Sequence, residues 1–421
     1  MLGNSVLSTL RRVLGALFIG LALTGAALAQ QPLKIGFGMS LTGPLAGNGK
    51  AALIAMEIWR DDVNAKGGIL GRKVEFVYYD DQTSPATVPS IYTKLLDVDK
   101  VDLVVSGYGT NVIAPAMPII MQRNLTFMTL FGLNVNSKFN YDRYFQIMPA
   151  GPNPAVGWSQ GFFDAAMSMS PKPKTVALVG ADAEYPAMAL EGAREHAKKT
   201  GLKIVYDKTY PPNTVDYSPI VRAIQAANPE VVFVASYPPD SAGMVRAANE
   251  VGLKTRIFGG GLVGPQFAAL KTQLGPLLNG VVNYEFYVPD LGSKFPFLDQ
   301  FLAKYQARAI VEKVDPLGFY LPPYAYAMMQ VLDQAITATR GLDQAKLAEY
   351  IHSHPFQTIE SEIAFGPDGE WTEARPIWAQ YHDIKGHDVE QFREPKTVTI
   401  LAPDKYKTGE MVYPYNKARG E

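Results

Sequence analysis

The sequence predicts an α/β fold of two lobes, each a parallel sheet flanked by helices. Short runs of β-branched and aromatic residues alternate along it with longer stretches of helical period, the pattern of parallel sheets covered on both faces. The alternation runs twice, because one series ends near Pro149 and a second begins near Lys174. The segment between them, PAGPNP from Pro149 to Pro154, has the proline and glycine expected where a chain crosses between lobes.

Strands are predicted wherever the short apolar runs occur: Lys34–Gly38, Val74–Tyr79, Leu103–Val105, Thr126–Thr129, Tyr144–Ile147, Thr175–Val179, Lys203–Tyr210, Val231–Ala235, Arg256–Phe258, Val281–Tyr287 and Ile377–His382. The intervening stretches predict these helices: Gly49–Asn64, Val88–Leu96, Pro115–Gln122, Pro154–Met169, Met188–Thr200, Tyr217–Ala227, Ser241–Val251, Lys294–Lys304, Pro322–Arg340 and Gln344–His352. In the first helix, Leu53, Met56 and Val63 form one apolar stripe, and Gly67-Gly68 ends it. The loop before this helix lies at the carboxyl end of the first strand, where open α/β sheets bind ligands.

The amino terminus predicts export. Arg11 and Arg12 precede an apolar stretch, Val13 to Ala29, that ends in the cleavage pattern Ala27-Leu28-Ala29. A membrane anchor is the alternative, but the stretch is short for a bilayer and a strand pattern follows at once. We therefore expect residues 1–29 to be removed and the mature chain to be soluble and periplasmic.

Composition excludes several classes of protein. The chain of 421 residues has 39 Lys and Arg against 40 Asp and Glu, so it lacks the basic surface that nucleic acid requires. It contains no cysteine, which excludes disulfides, thiolate chemistry and a lipid anchor on cysteine. No catalytic motif, cofactor fingerprint or metal-ligand spacing is convincing, so we expect no enzyme activity, no cofactor and no metal.

Several segments carry a family resemblance. NAKGGILGRKVE from Asn64 to Glu75 is the most specific, and SGYGTNVIAPAM from Ser106 and LVGADAEYPAMALEGAREHAKKTG from Leu178 extend it. With these segments the chain resembles the leucine/isoleucine/valine-binding type of periplasmic solute-binding protein, which serves ABC importers. The resemblance implies a type I periplasmic binding protein fold with a three-stranded hinge. Lobe 1 would comprise residues 30–149 and 287–366, and lobe 2 residues 150–286 and 367–421.

The same resemblance implies a ligand site. The loop from Gly107 to Asn111, with Tyr108, resembles the family's carboxylate cradle, in which backbone N–H groups and the Thr110 hydroxyl hold an anion. The loop with Phe131 and Gly132 resembles its second part, but Leu133 replaces a hydroxyl residue, so backbone groups or Asn134 would have to serve. Further contacts implied by position are Tyr185 and Tyr237, which would close over the ligand, and Phe319, an apolar contact.

One position departs from the family. Members that bind α-amino acids usually place an acid where Gly261 stands, and it pairs with the ligand ammonium. Either Asp182, Glu184 or Asp240 substitutes for it, or the ligand has no amine, since a buried unpaired ammonium is costly. The aromatics of these loops, with Tyr320 and Tyr324, would suit a ring or branched chain. Each of them can also be simply core or rim, and Thr110 can be a helix cap.

The leading hypothesis is a ligand-binding component of an ABC importer, a monomer that closes on a small molecule and docks on a permease. The ligand would be a branched-chain or aromatic amino acid, or an aromatic or aliphatic carboxylate. A secreted sensor of the same fold is the alternative, and a secreted α/β hydrolase has no supporting motif.

Overall fold

The computed structural model describes residues 31–294 and 296–420. The predicted signal peptide, residues 1–29, lies outside them. The strands are β1 (Leu33–Met39), β2 (Val74–Asp80), β3 (Leu103–Tyr108), β4 (Phe127–Leu130), β5 (Tyr144–Gln146), β6 (Thr175–Ala181), β7 (Lys203–Tyr210), β8 (Val231–Ser236), β9 (Ile257–Leu262), β10 (Val282–Glu285), β11 (Phe356–Thr358), β12 (Ser361–Ile363), β13 (Ile377–Tyr381) and β14 (Val398–Ala402).

The α-helices are α1 (Ala46–Ala65), α2 (Val88–Asp97), α3 (Thr110–Ile113), α4 (Met117–Gln122), α5 (Pro154–Met167), α6 (Glu184–Thr200), α7 (Ser218–Ala226), α8 (Pro238–Val251), α9 (Ala268–Leu274), α10 (Pro296–Glu312), α11 (Leu321–Thr339), α12 (Gln344–Ser353) and α13 (Tyr415–Ala418). No helix within the described ranges is both long enough and apolar enough to cross a bilayer.

The first sheet has the strand order β2-β1-β3-β4-β5, and every pair in it is parallel. Its centre is apolar, since Ile35, Phe37 and Val105 are fully buried. β3 approaches β1 so closely that a Cβ at Gly107 would lie 2.1 Å from the carbonyl oxygen of Gly38. Glycine is therefore required there, at the edge where β3 leads into the predicted ligand loop.

The second sheet has the order β14-β13-β10-β9-β8-β6-β7. The strands from β6 to β10 are parallel, whereas β13 and β14 pair antiparallel at one edge. Its interior strand β8 is entirely buried. Continuous burial on both faces is the arrangement that the apolar run Val231–Ala235 predicts.

The helices that follow β10 return to the first sheet. α10 and α11 lie against α1, where Arg308 pairs with Glu57 and the Tyr326 hydroxyl donates to Asp62 at 3.0 Å. The chain then re-enters the second sheet through β13, so it passes between the two halves after β5, after β10 and after β12. We call the first sheet with α1–α4 and α10–α12 the first lobe, and the second sheet with α5–α9 and α13 the second lobe.

The sequence missed three short strands. β11 and β12 form a separate two-stranded hairpin, and β14 adds an edge to the second sheet from within the tail that begins at Glu394. The helix predicted at Lys294–Lys304 instead spans Pro296–Glu312, and the Pro115–Gln122 prediction covers α4 but misses α3. Strands of three to five residues carry too little periodicity to be detected, because their pairing partner is what makes them strands.

Candidate functional site

The carboxyl ends of the two sheets face each other across a small enclosed cavity, which we call the inner chamber. Tyr108 ends β3 and Phe131 follows β4 in the first lobe, while Tyr185 begins α6 and Tyr237 precedes α8 in the second. Their side chains enclose about 20 Å³, together with Gly109, Thr110, Leu133, Met148, Trp158, Val263 and Tyr320. The chamber therefore lies where parallel α/β sheets place ligands, at the ends of strands distant in sequence.

Thr110 is positioned by the glycine before it. Gly109 has φ of 108°, a conformation that L side chains rarely adopt, and Thr110 then begins α3. The side chain is 2% exposed, and its Oγ1 accepts a hydrogen bond from Leu133 N–H at 3.1 Å. Because the hydroxyl oxygen is used as an acceptor, the O–H hydrogen is the part that can be donated into the chamber.

The loop from Phe131 to Leu133, expected to form the second half of the cradle, uses its backbone amides within the protein. Phe131 N–H donates to Gln146 Oε1 at 3.0 Å and Leu133 N–H to Thr110, so these amides are not free for a ligand. Gly132 does not line the chamber. Its carbonyl accepts from Tyr144 Oη at 3.2 Å, and a Cβ there would lie 3.0 Å from Gln146 Nε2. In this arrangement the amides of Phe131 and Leu133 already have acceptors within the protein, and Asn134 Nδ2 lies 3.8 Å from the sulfur of Met188.

Two buried polar atoms belong to residues that line the chamber, Tyr237 Oη and Trp158 Nε1. Neither has a partner with good hydrogen-bond geometry among the described residues, although Trp158 Nε1 lies near the Tyr185 hydroxyl and the Tyr185 amide lies near Tyr237 Oη. The O–H hydrogen of Tyr237 is therefore the donor left without an acceptor. Burial raises the pKa of the Tyr237 phenol far above its usual range, which keeps it protonated and able to donate. An indole N–H can only donate, so both atoms suit a ligand group that accepts hydrogen bonds.

Tyr185 explains the glycine at position 261. Its hydroxyl donates to the carbonyl of Gly261 at 2.9 Å, and a Cβ on Gly261 would lie 2.6 Å from that hydroxyl oxygen. An acidic side chain at this position would displace Tyr185. Tyr185 itself packs on Tyr237, with ring centroids 5.7 Å apart.

Outside the chamber the lobes form a wider cavity of about 800 Å³ that is open to solvent, which we call the outer vestibule. Asn111, Asp182, Glu184 and Asp240 all line it. Asn111, predicted as part of the cradle, therefore lies in this vestibule and not in the chamber.

Asp182, Glu184 and Asp240, the acids that could replace the one absent at Gly261, do not line the chamber. Asp240 is 5% exposed and accepts from Tyr217 Oη at 3.1 Å and Tyr210 Oη at 3.4 Å. Burial raises the pKa of this carboxyl to about 6. Glu184 pairs with Lys138 of the first lobe at 2.9 Å, and Asp182 is exposed. All three acids lie at the outer cavity, so an ammonium in the chamber would have none of them beside it.

Phe319 lies outside both cavities. Its ring packs on Tyr287, with centroids 4.8 Å apart, and lines a separate surface cavity with Asp299 and Arg393. The next residue, Tyr320, reaches the chamber instead, and its hydroxyl lies 3.0 Å from that of Tyr108. Tyr324 stands behind Phe131, with ring centroids 5.2 Å apart, as part of the chamber's supporting core.

Sequence reasoning missed Trp158, Met148 and Val263. Trp158 lies in α5, one turn after the first crossing between the lobes, and is 1% exposed. The centroid of its indole lies 4.3 Å from the ring centroid of Tyr284 and 6.5 Å from that of Tyr185. The only available signal was a tryptophan directly after the Pro- and Gly-rich crossing, because helical periodicity alone assigns it to the core.

Within residues 31–294 and 296–420 no group of three or more His, Asp or Glu side chains is arranged to hold a metal ion. Three acids close together in sequence make separate contacts: Asp97 pairs with Arg123, Asp99 accepts from Tyr79, and Asp102 pairs with Arg72.

Comparison with known proteins gives one consistent result. The profile of the periplasmic binding protein family matches residues 32–378. An amino acid binding protein of Pseudomonas aeruginosa is 26% identical over 340 residues, which cover 76% of this chain and 84% of the relative.

Two solved structures share the fold. A solute-binding protein of an ABC transporter from R. palustris, in complex with benzoate, superposes with a TM-score of 0.71 at 17% identity, covering 88% of this chain and 95% of that one. A leucine-binding protein from Thermotoga maritima superposes with a TM-score of 0.71 at 18% identity, covering 88% of this chain and 98% of that one. The predicted fold class, two parallel-dominated sheets flanked by helices as in type I periplasmic binding proteins, is confirmed.

Proposed function

Since this chain belongs to the periplasmic binding protein family, we propose that it captures a small organic carboxylate with an apolar body between its two lobes and delivers it to an ABC permease. Like its family and its structural neighbours, it is a binding protein and not an enzyme. The observation that carries the ligand class is the buried Tyr237 hydroxyl at the inner chamber, which has no acceptor among the described residues, with the Trp158 indole N–H close by.

The chamber favours an anion over a zwitterion. The donors on the residues that line it include the hydroxyl of Thr110, the phenol of Tyr237, the indole of Trp158 and one of the paired hydroxyls of Tyr108 and Tyr320. Among the described residues that line it, none is acidic. A carboxylate can accept from several donors at once, whereas an ammonium needs acceptors and a counter-charge to offset its desolvation.

The position of Gly261 supports the same ligand class. Amino-acid binders of the family usually have an acid there, and in this chain the space is filled by the Tyr185 hydroxyl. Structural neighbours include one protein in complex with benzoate and one described as leucine-binding, so the fold itself accommodates both classes. The donors of the chamber favour the first class for this chain.

We propose a periplasmic location and a hinge motion for delivery. The lobes predicted as residues 30–149 with 287–366 and 150–286 with 367–421 would move as units about the three chain crossings. Closing around the ligand would present both lobes to the permease together. The ligand-binding role alone does not require this partner, so the two can be tested separately.

The test is isothermal titration calorimetry of the mature protein with benzoate, benzamide and leucine. We expect benzoate to bind more tightly than benzamide, which has the same ring without the charge, and more tightly than leucine. Tight binding of leucine with none of benzoate would contradict the proposed ligand class. No response to benzoate, phenylvalerate or octanoate would contradict carboxylate binding altogether.

A further inference from the structure

The proposed function rests on the inner chamber, but the outer vestibule indicates the shape of the ligand. Building on that function, we propose that the ligand is an elongated carboxylate, an arylalkanoate or a fatty acid. Its head group occupies the chamber and its apolar body extends along the vestibule against Val215. Val215 then determines specificity for ligand length.

The chamber is too small for the body of any ligand. Its volume of about 20 Å³ is enough for roughly one water molecule or a head group of similar size, because a single water needs at least ~10–15 Å³ by this measure. The vestibule, at about 800 Å³, is of the size that ligand pockets commonly have. A ligand whose carboxylate meets Tyr237 and Trp158 must therefore place the rest of its atoms outside.

The two cavities adjoin at Tyr237. This residue lines both of them, and its unpaired hydroxyl marks the point where a polar head would stop. On the opposite side Thr110 lines the chamber and Asn111, the next residue, lines the vestibule. A single extended molecule can therefore contact both cavities.

The vestibule has apolar walls on both sides. Pro44, Leu45 and Pro85 contribute from the first lobe, and Met188 and Val215 from the second. Val215 lies in the loop between β7 and α7 and is 94% exposed, the most exposed of the large apolar side chains described. An isolated exposed valine needs no explanation, but one that lines a cavity gains free energy when an apolar ligand covers it.

The lobes already touch around this cavity. Lys138 of the first lobe pairs with Glu184 of the second. The Phe267 ring of the second lobe packs against Gly47 of the first, so closely that a Cβ on Gly47 would lie 2.4 Å from the nearest ring carbon. The vestibule therefore remains while the lobes are in contact, and is not merely the gap of a separated pair. Its volume is available to a bound ligand.

The test is a calorimetric series of benzoate, hydrocinnamate and phenylvalerate, repeated with butyrate, octanoate and decanoate. If the body is buried in the vestibule, each added methylene should tighten binding by about fourfold until the vestibule is filled. Val215→Asn should weaken phenylvalerate by about fivefold and benzoate by much less, because the shorter ligand covers less of Val215.

Val98→Asn is the matched control, because Val98 is also exposed, at 68%, but lies at the end of α2 away from both cavities. It should change no affinity. Thermal unfolding of both variants should match the parent, since neither valine is part of the core.

The outcomes distinguish failure of the elongated-ligand proposal from failure of carboxylate binding. If benzoate binds as tightly as phenylvalerate and Val215→Asn changes neither, the elongated ligand is wrong while carboxylate binding stands. If affinity rises with length but Val215→Asn has no effect, Val215 is not the determinant and the assignment to this residue fails. If no acid of either series binds, the proposed function and this inference both fail.

Discussion

The Tyr237 hydroxyl is a buried hydrogen-bond donor at the chamber. Its Oη is buried and has no hydrogen-bond partner among the residues described. A buried donor left without an acceptor costs about 1–3 kcal/mol in the folded state. A ligand carboxylate that accepts this hydrogen bond would remove that cost, so the cost becomes part of the binding free energy.

We predict that Tyr237→Phe weakens carboxylate binding by about tenfold without lowering the melting temperature. The ring remains to pack on Tyr185, and only a hydroxyl with no protein partner is lost. Tyr92→Phe is the control, because the Tyr92 hydroxyl is also buried but donates to Val105 O at 2.8 Å. That variant should lose about 1 kcal/mol of stability and keep its affinity. Equal affinities of Tyr237→Phe and the parent would remove Tyr237 from the site.

Residue by residue, the sequence predicted which loops meet at the chamber better than it predicted their hydrogen bonds. Thr110, Tyr185 and Tyr237 line the chamber, since strand-to-helix junctions converge in this fold whatever their side chains. Phe319 does not, because the neighbouring Tyr320 reaches the chamber from the start of α11. Whether the amides of Phe131 and Leu133 are free depends on Gln146 and Thr110, which no local pattern connects to them.

Among the elements, the amino end of α1 controls how closely the lobes approach. Gly47 lies in its first turn and faces Phe267, which precedes α9 in the other lobe. Because the Phe267 ring occupies the place where a side chain at position 47 would begin, the absence of a Cβ permits this contact.

Gly47→Val is therefore predicted to hold the lobes apart. Small-angle X-ray scattering with saturating ligand should give a larger radius of gyration than the parent, and affinity should fall by at least about tenfold. The double variant Gly47→Val/Phe267→Ala should regain the radius of gyration and the affinity of the parent. Gly386→Val is the control, since a Cβ there would meet nothing within 4 Å. An unchanged radius in Gly47→Val would show that the lobes close without this contact.

The long elements could be predicted from the sequence and the short ones could not. α1 and β7 follow from local periodicity, and β7 was predicted with the bounds observed. β14 is a strand because it lies antiparallel to β13, which itself reaches the second sheet only after the chain has crossed back to it. Such pairings depend on topology, which local patterns do not contain.

At the scale of the whole molecule, buried carboxyls should make stability depend on pH. Burial raises the pKa of Asp315 and of Asp240 to about 6 and that of Glu360 to about 8. A raised pKa means that the folded state binds protons more readily than the unfolded chain. These groups therefore favour folding most at about pH 4, and that contribution is lost as pH rises through the folded pKa values.

Asp315→Asn tests this directly, because the amide is nearly isosteric and cannot ionise. Asp315 is 4% exposed and accepts from Leu317 N–H at 3.1 Å. Relative to the variant, the parent should gain stability on the order of 2–3 kcal/mol as pH falls from about 7 to about 4. Urea unfolding at several pH values measures this difference, with Glu349→Gln, at an exposed site, as the control. Parallel pH curves for Asp315→Asn and the parent would refute the assignment.

The sequence by itself determined the α/β class, the repetition that makes two lobes, the family, and the loops from which the site is built. These follow from local periodicity and from segments such as NAKGGILGRKVE, which depend on residues close together in the chain. Only the tertiary structure decided that the chamber is nearly filled, that Trp158 is part of it, that Phe319 is not, and that Tyr185 occupies the space of an acid at Gly261. Those features are set by volumes and hydrogen bonds between residues far apart in sequence, and such residues meet only when both lobes are folded and face each other.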